Sequence, residues 1–513
     1  MRDATGTEPV SEGVAGGRWI DRLDRRVIGV VTALGFGLPV AFAYWMVAHY
    51  GVNGVTGDQF SDVTVIHASY THLTWGALWA QHNENRIFFA NLIMLVLAHT
   101  TAFNIQIEEF LGVTMLVAAT AVVILIHRRR AQDTPWLYYC PVAILMLSVA
   151  QFGNMLWGFQ MAWFLVMVSL VLSLFFLDRL TLGWLGYGAA IVMAVVASYS
   201  SLQGLLVWPA GLFLLYHRHR RRSMVVSWVV VAAADTALYF YNYDSHVATS
   251  PHGEAISHLA VSAEYFGLAV GDVLGIPFHY AQGYNPWLVA FGLVIVAVCV
   301  WVIARYGIRR DEHSARPFAV SLVLTGLLFV AVITEGRIIF GAWSASASRY
   351  TTFDLLIPTG IYLTLLGREP APISAVPPAG GAGGLHDAAW RAWRSIDRWA
   401  FPVLRGFIAV LIVAQVAVSI PNAMKGARSN FVYQTRAAEV LRDYQHLPDN
   451  EVVYFLDVYS NAHFVRRQAA ILKRYHLSVF ADPSPPQGLS PTGGWHRQGR
   501  DAGHEVRTGG TGS

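Results

Sequence analysis

The chain has 513 residues, 55% of them hydrophobic and 13% charged, with a mean hydropathy of +0.43. That balance excludes a soluble globular protein. The formal net charge of +4 comes from arginine-rich loops without interleaved aromatic residues, which argues against a nucleic-acid partner.

Residues 1–26 read as a cytoplasmic N-terminal tail, with disorder expected over the first 17. Apolar runs of about 17–22 residues then recur from 27 to 421, the length a helix needs to cross roughly 30 Å of hydrocarbon. The first run follows "GGRWIDRLDRR" and lacks a small-residue cleavage site, so it reads as a retained span and not a removable signal. Cys140 and Cys299 both fall inside apolar runs, where they act as small hydrophobes, and the redox compartment is not readable from them.

Arg and Lys collect before 27, at "HRRR" (127–130), "LDR" (177–179), "HRHRRR" (217–222) and "RYGIRRDEHSAR" (305–316), and in the 368–400 segment. Such loops stay on the cytoplasmic side, which fixes the parity of crossings. Spans then fit near 108–127, 137–153, 157–177, 181–199, 202–216, 223–243, 286–306, 317–334, 351–367 and 401–421. Segments 87–103 and 263–280 break the parity and are expected to lie in or dip into the outer leaflet. The expectation is an all-α polytopic bundle of about eleven transmembrane helices. The competing reading lets both segments cross and violates the positive-inside rule twice.

The core is then 27–367, with a first extracytoplasmic loop at 50–107 carrying juxtamembrane helices. Residues 368–400, with "REPAPISAVPPAGGAGGLHD", read as a flexible cytoplasmic linker before the last span at 401–421. Residues 422–480 read as a small extracytoplasmic region: a helix at "NFVYQTRAAEVLRDYQ", a short strand at "EVVYFLDV" and a basic helix at "RRQAAILKRYHLSVF". From 481 to 513 the composition is that of a disordered tail. No internal repeat is evident, which weakens an inverted-repeat transporter reading.

The outer loops are 50–86, 151–160, 198–204, 241–258 and 334–354, all rich in aromatic, amide and hydroxyl side chains. That is the composition of a sugar-binding cleft, where rings cover sugar faces and amides satisfy hydroxyls. An interfacial aromatic belt would show the same aromatic residues without the amides. Asn154, Trp157, Gln160 and Gln203 are the sugar-pocket candidates.

The first loop contains "GDQFSDVTVIHASYTHLTWGALWAQHNENR" (57–86). Asp58 lies about eight residues beyond the first span, where an unpaired carboxylate is costly, and it suits a general base for an acceptor hydroxyl. The alternative for Asp58 is a helix N-cap, as "D-x-x-S" allows. Asp62 shares its face if the segment is helical; a solvated helix face is its plainer reading. In "QHNENR", His82 and Glu84 are two apart, a spacing that a loop can bring to one ion but a helix cannot. No companion ligands have a diagnostic spacing. His82, Glu84 and Arg86 therefore read as a polar knot that orients the acceptor or Asp58, or as an N-terminal cap for 87–103.

Arg337, Arg349 and Tyr350 sit at the outer ends of late spans. Arginine at that depth calls for an anion, and a lipid phosphate fits; salt bridges to Glu335 or Asp354 are the alternative. Asp235 and Asp272 lie within apolar segments and are candidates by default, whereas His246, His252 and His258 form no ligand pattern.

This layout resembles the GT-C superfamily of polyprenyl-phosphate-sugar glycosyltransferases, especially the protein mannosyltransferase and aminoarabinose transferase branch. There, a first span leads to a long outer loop with an acidic residue, then a juxtamembrane helix, then a span ending in basic residues. Asp58, "QHNENRIFFANLIMLVLAH" and "IEEFLGVTMLVAATAVVILIHRRR" match those three parts. "QHNENR" is also similar to a "QHNEHR" signature of bacterial membrane proteins grouped with such enzymes, and "SASRYTTF" to their late "SSRYTTF". The match is detailed over roughly the first 130 residues and loose beyond them. No literal "H-P-P" is present and the acidic pair appears as "DQFSD", so the base stays open between Asp58 and Asp62.

The resemblance implies a multi-pass protein of a bacterial plasma membrane, with a cytoplasmic N-terminus and an extracytoplasmic C-terminus. It implies inverting transfer of a sugar from a polyprenyl-phosphate donor to a cell-envelope glycan or lipid acceptor. Arg337, Arg349 and Tyr350 would then hold the lipid phosphate. A divalent metal is compatible with that chemistry and not required by it. The alternatives are a lipid-linked glycan flippase or an envelope polymer ligase.

Overall fold

A computed structural model describes residues 24–218, 220–244, 253–276, 286–308, 310–366, 385–456 and 461–481. The expected disordered tails, 1–17 and most of 481–513, lie outside the described residues, as does most of the 368–400 linker.

The described chain is almost wholly helical, and its one sheet is a two-stranded hairpin, Gln81–His82 against Asn85–Arg86. Among the described residues, seven helices are long and apolar enough to cross a membrane: Arg25–Tyr50, Ile105–Arg130, Trp136–Met155, Gly158–Leu177, Pro286–Gly307, Arg316–Phe340 and Ala400–Arg442. All seven coincide with expected spans. The other four expected spans, 181–199, 202–216, 223–243 and 351–367, are shorter or more polar helices, such as Trp184–Ser198 with 15 residues.

Local sequence sets the helix limits. Asp24 caps the first helix by accepting from the Arg26 N–H, and Asn104 caps Ile105–Arg130 through the Gln106 N–H. The latter helix ends on Arg128, Arg129 and Arg130, cations that suit a helix C-terminus. Segment 87–103 is the 14-residue helix Phe88–Thr101, closed by Ala102 and Phe103 at φ 53° and 54°. Segment 263–280 is represented by Leu259–Gly271, 13 residues, folded back along Pro286–Val302. Gly292 permits that approach, since a Cβ there would collide with the Gly267 carbonyl.

The basic loops meet at one end of the bundle. Asp178 accepts from Arg218 Nε at 2.6 Å and from Arg130 Nε at 3.1 Å. Arg218 also donates to the carbonyls of Asp311, Glu312 and Ser314. One carboxylate and two guanidinium groups thus clasp the ends of four connecting segments.

At the opposite end, the first-loop helix Phe60–Thr71 packs beneath the C-terminal region. Val63 and Ile66 share an apolar cluster with Leu441, Val465 and Leu472. Gln468 Nε2 donates to Thr64 at 2.9 Å, Tyr475 stacks on Tyr70 at 4.2 Å, and the Ser478 N–H donates to the Ala102 carbonyl at 2.8 Å.

Three expectations about the C-terminal third are corrected. The linker expected over 368–400 is helical from Leu385 onward, because the glycine- and proline-rich composition stops at Gly384 and "LHDAAWRAWRSIDRWAF" is rich in helix formers. No break occurs at 421, and one helix runs from Leu385 to Arg442. Beyond 421 it packs on the 151–160 loop: Gly426 lies against the Phe152 ring, and Asn430 donates to the Leu156 carbonyl at 3.4 Å. The strand expected at "EVVYFLDV" is the helix Asp449–Leu456. Short apolar runs do not reveal their period, and Val452 and Leu456 bury themselves between neighbouring helices.

Candidate functional site

A cavity of about 440 Å³ opens at the end opposite the Asp178 clasp. Its wall is built from the loops and helix ends gathered there: Asp58, the hairpin residues His82 to Asn85, Phe159 and Gln160, Leu202 and Gln203, Phe240 and Tyr243, the last turns of Arg316–Arg337, and Arg349 with Tyr350. Aliphatic residues Leu328, Ala331 and Val332 of that helix form its apolar side.

Asp58 occupies the short 3-10 turn Gly57–Gln59, which Gly57 opens with φ 59°. That left-handed start turns the carboxylate toward the cavity, where His82 Nε2 lies 3.9 Å from Asp58 Oδ1. The distance is too long for a hydrogen bond. Burial lowers the His82 pKa, with Asp58 and Glu84 pulling against it, so the imidazole is neutral at pH 7.

The hairpin lines the cavity with His82 to Asn85 and turns Arg86 away from it. Asn83, at φ 49°, makes its turn, and His82 and Glu84 face the cavity. Glu84 pairs with Arg337. Asn85 Oδ1 accepts from the Leu202 N–H at 3.0 Å and so fixes the Gln203 segment. Arg86 turns away: its guanidinium donates to the carbonyls of Trp79, Tyr239, Tyr241 and Asn242, and thereby caps the C-terminus of Arg222–Tyr239. The Tyr239 hydroxyl completes the tie by accepting from the Arg86 N–H and donating to the Glu84 carbonyl.

Arg349 is held from below. Asn154 Nδ2 donates to its carbonyl at 2.6 Å and to Thr352 at 2.7 Å, and Thr352 donates to Gln151 at 2.9 Å. Its guanidinium donates to the Tyr350 hydroxyl at 3.2 Å. Burial opposes the charge, but Tyr350, Asp58 and Glu84 outweigh it and raise the Arg349 pKa. The charged guanidinium thus faces the same hollow as the Asp58 carboxylate.

Of the twelve residues given a role at the site from sequence, Asp58, His82, Glu84, Gln160, Gln203, Arg337, Arg349 and Tyr350 line the cavity. Four stand behind it. Arg86 and Asn154 hold backbone, as described. Trp157 packs against Phe159 at 5.7 Å and is not part of the lining. Asp62 does not share the face of Asp58: it is 2% exposed, whereas the Asp58 side chain is 21% exposed. Burial, and then the Asp58 charge, push the Asp62 pKa well above the ordinary carboxylate range. Both Asp62 carboxyl oxygens lack hydrogen-bond partners among the described residues.

Sequence reasoning passed over Trp163, Tyr243 and Glu108. Trp163 lines the cavity three residues after Gln160, and its ring stacks on Tyr350 with centroids 6.0 Å apart; the i, i+3 spacing from an amide was the available signal. Glu108 lies behind the wall near Asp62 and accepts from Gln59 Nε2 at 2.7 Å. A side chain at Gly158 would collide with that carboxylate. Among the described residues, no group of three or more His, Cys, Asp or Glu side chains is placed to hold a metal ion. No family model, curated protein or solved structure matches this chain.

Proposed function

We propose that the chain is a GT-C-type glycosyltransferase of a bacterial plasma membrane, moving a sugar from a polyprenyl phosphate to a cell-envelope glycan or lipid on the extracytoplasmic face. The observation that carries this reading is one cavity, at one end of an apolar bundle, faced by both the Asp58 carboxylate and the Arg349 guanidinium. In this topology the Asp178 end is cytoplasmic, the N-terminus is inside and the C-terminus outside, with about eleven crossings. The shorter helices, such as Trp184–Ser198, span by local thinning of the bilayer.

The chemistry follows from the two charges. Asp58 accepts the proton of the acceptor hydroxyl as its oxygen bonds to the anomeric carbon. The bond from that carbon to the phosphate oxygen breaks, and the electron pair leaves with the phosphate, whose charge Arg349 stabilises. Trp163 and Tyr350 offer faces to the sugar ring, Gln160 and Gln203 offer amides to its hydroxyls, and the aliphatic side of Arg316–Arg337 faces the prenyl chain. The Glu84–Arg337 pair fixes the hairpin opposite Arg349.

The test is transfer of radiolabelled sugar from a panel of synthetic polyprenyl-phosphate sugars by the purified protein, with carrier binding measured in parallel. Wild type should transfer, while Asp58→Asn should bind carrier without transferring. Binding and passage of carrier across proteoliposomes with no turnover of any donor would replace the reading with a flippase. Turnover only of a preassembled polymer would replace it with a ligase.

A further inference from the structure

At the Asp178 end, Arg25–Tyr50, Ile105–Arg130 and Cys140–Met146 enclose a second hollow of about 420 Å³, remote from the charged cavity. Its wall is hydrocarbon, with Phe36, Val117, Ile124, Trp136 and Ala143 among its residues. The two threonines in it turn their hydroxyls to their own helices: Thr32 donates to the Ile28 carbonyl at 2.7 Å and Thr120 to the Leu116 carbonyl at 2.8 Å. Their hydroxyl protons are thereby committed, which leaves a lining dominated by hydrocarbon.

The groove is a fixed feature of the helix packing. Gly35 lies so close to Cys140 that a Cβ would collide with its sulfur, which pins the first helix against Cys140–Met146. From Val117 to Leu125 the groove runs roughly 12 Å along its helix at about 1.5 Å per residue. That approaches one leaflet, half of the roughly 30 Å hydrocarbon core. Leu125 and Trp136 are 45% and 46% exposed, so it opens sideways toward lipid.

Its rim is cationic. The Arg128 guanidinium lies 4.0 Å over the Trp136 ring, one turn past Leu125, and donates to the Thr134 carbonyl. Arg25 and Arg26 begin the first helix and are exposed. Among the described residues, the acids on these segments are Asp24, which caps that helix, and Asp133, so three arginines stand beside two carboxylates. Neighbouring Arg129 and Arg130 are committed inward, to the Phe175 carbonyl and to Asp178.

We infer that this groove holds one acyl chain of a phospholipid whose anionic headgroup sits on Arg128, Arg25 and Arg26. The inference stands independently of the transferase reading. Each arginine near an anionic headgroup contributes about 1 kcal/mol, equivalent to roughly fivefold in preference. The full chain is reconstituted in vesicles of equal phosphatidylglycerol and phosphatidylethanolamine, extracted gently, and its retained lipid counted by native mass spectrometry. Phosphatidylglycerol should be retained preferentially, the preference should fall roughly fivefold in Arg128→Gln, and Ala121→Phe should lose the retained lipid. Equal retention of the two lipids, or an unchanged preference in Arg128→Gln, overturns the site. Because Ala121→Phe can fail to fold, the unmodified chain is also labelled with phosphatidylglycerol carrying a photoreactive tail. Labelling centred on Phe36, Trp136 and Ala143 supports the groove, and labelling spread evenly over other lipid-facing helices overturns it.

Discussion

Asp178 and Asp58 are carboxylates at opposite ends of one apolar bundle, and their surroundings could hardly differ more. Asp178 has its side chain fully out of water and is gripped by two guanidinium groups, which in turn fasten the carbonyls of a third loop. Asp58 lies 3.9 Å from the His82 imidazole, is partly exposed, and shares its hollow with a charged Arg349. Close charge pairing marks the end that holds helices together. Charges of opposite sign lining one cavity mark the end that can receive something.

The comparison breaks most sharply at Asp58 itself. Asp58→Asn should lower transfer by about 10²–10⁴-fold, the usual worth of a positioned base, while the thermal midpoint in detergent stays close to wild type. At the other end the effect should be on stability instead. Arg218→Met leaves a buried carboxylate with half its partners and should cost ~3–5 kcal/mol in equilibrium unfolding, with the rate per folded molecule preserved. Arg349→Lys keeps the charge but loses the forked geometry. It should raise the KM for the donor about tenfold to a hundredfold, as for a charge-assisted contact of ~1.5–3 kcal/mol, without moving the unfolding midpoint.

The smallest effect sharpens the contrast between Asp58 and its neighbour. Asp62 has its pKa raised by burial, so its folded form keeps a proton that the unfolded chain loses earlier. Its contribution is full below the ordinary carboxylate pKa and declines as pH rises through the folded value. Asp62→Asn removes that decline. It should stabilise the protein by on the order of 1 kcal/mol at pH 8, stabilise it less at pH 4, and leave transfer intact; loss of transfer with an unchanged pH profile would move the base from Asp58 to Asp62.

Much of this division was legible in the sequence. Arginine clusters separated the two ends, because Arg is expensive anywhere except at a membrane face. Polar residues in the opposite loops gathered into one cavity because they had few other places to go. The sidedness within a loop was not legible. Asp58 and Asp62 are one helical turn apart by spacing, but Asp58 precedes the helix on a 3-10 turn, and Asp62 alone points into the packing. Arg86 and Glu84 are likewise two residues apart, and the hairpin sends one to a helix terminus and the other to the hollow. The helical state of 449–456 was hidden for a different reason: its partners, the helices on either side, are tertiary neighbours that no local window contains.

The contact between Thr64 and Gln468 joins positions 404 residues apart. At ~5–20 residues per second of synthesis, the loop bearing Asp58 waits roughly 20–80 s for the segment that covers its helix. An interrupted chain can make every residue that lines the cavity and still leave this helix uncovered. Covering of the Phe60–Thr71 helix therefore reports that translation has passed residue 468.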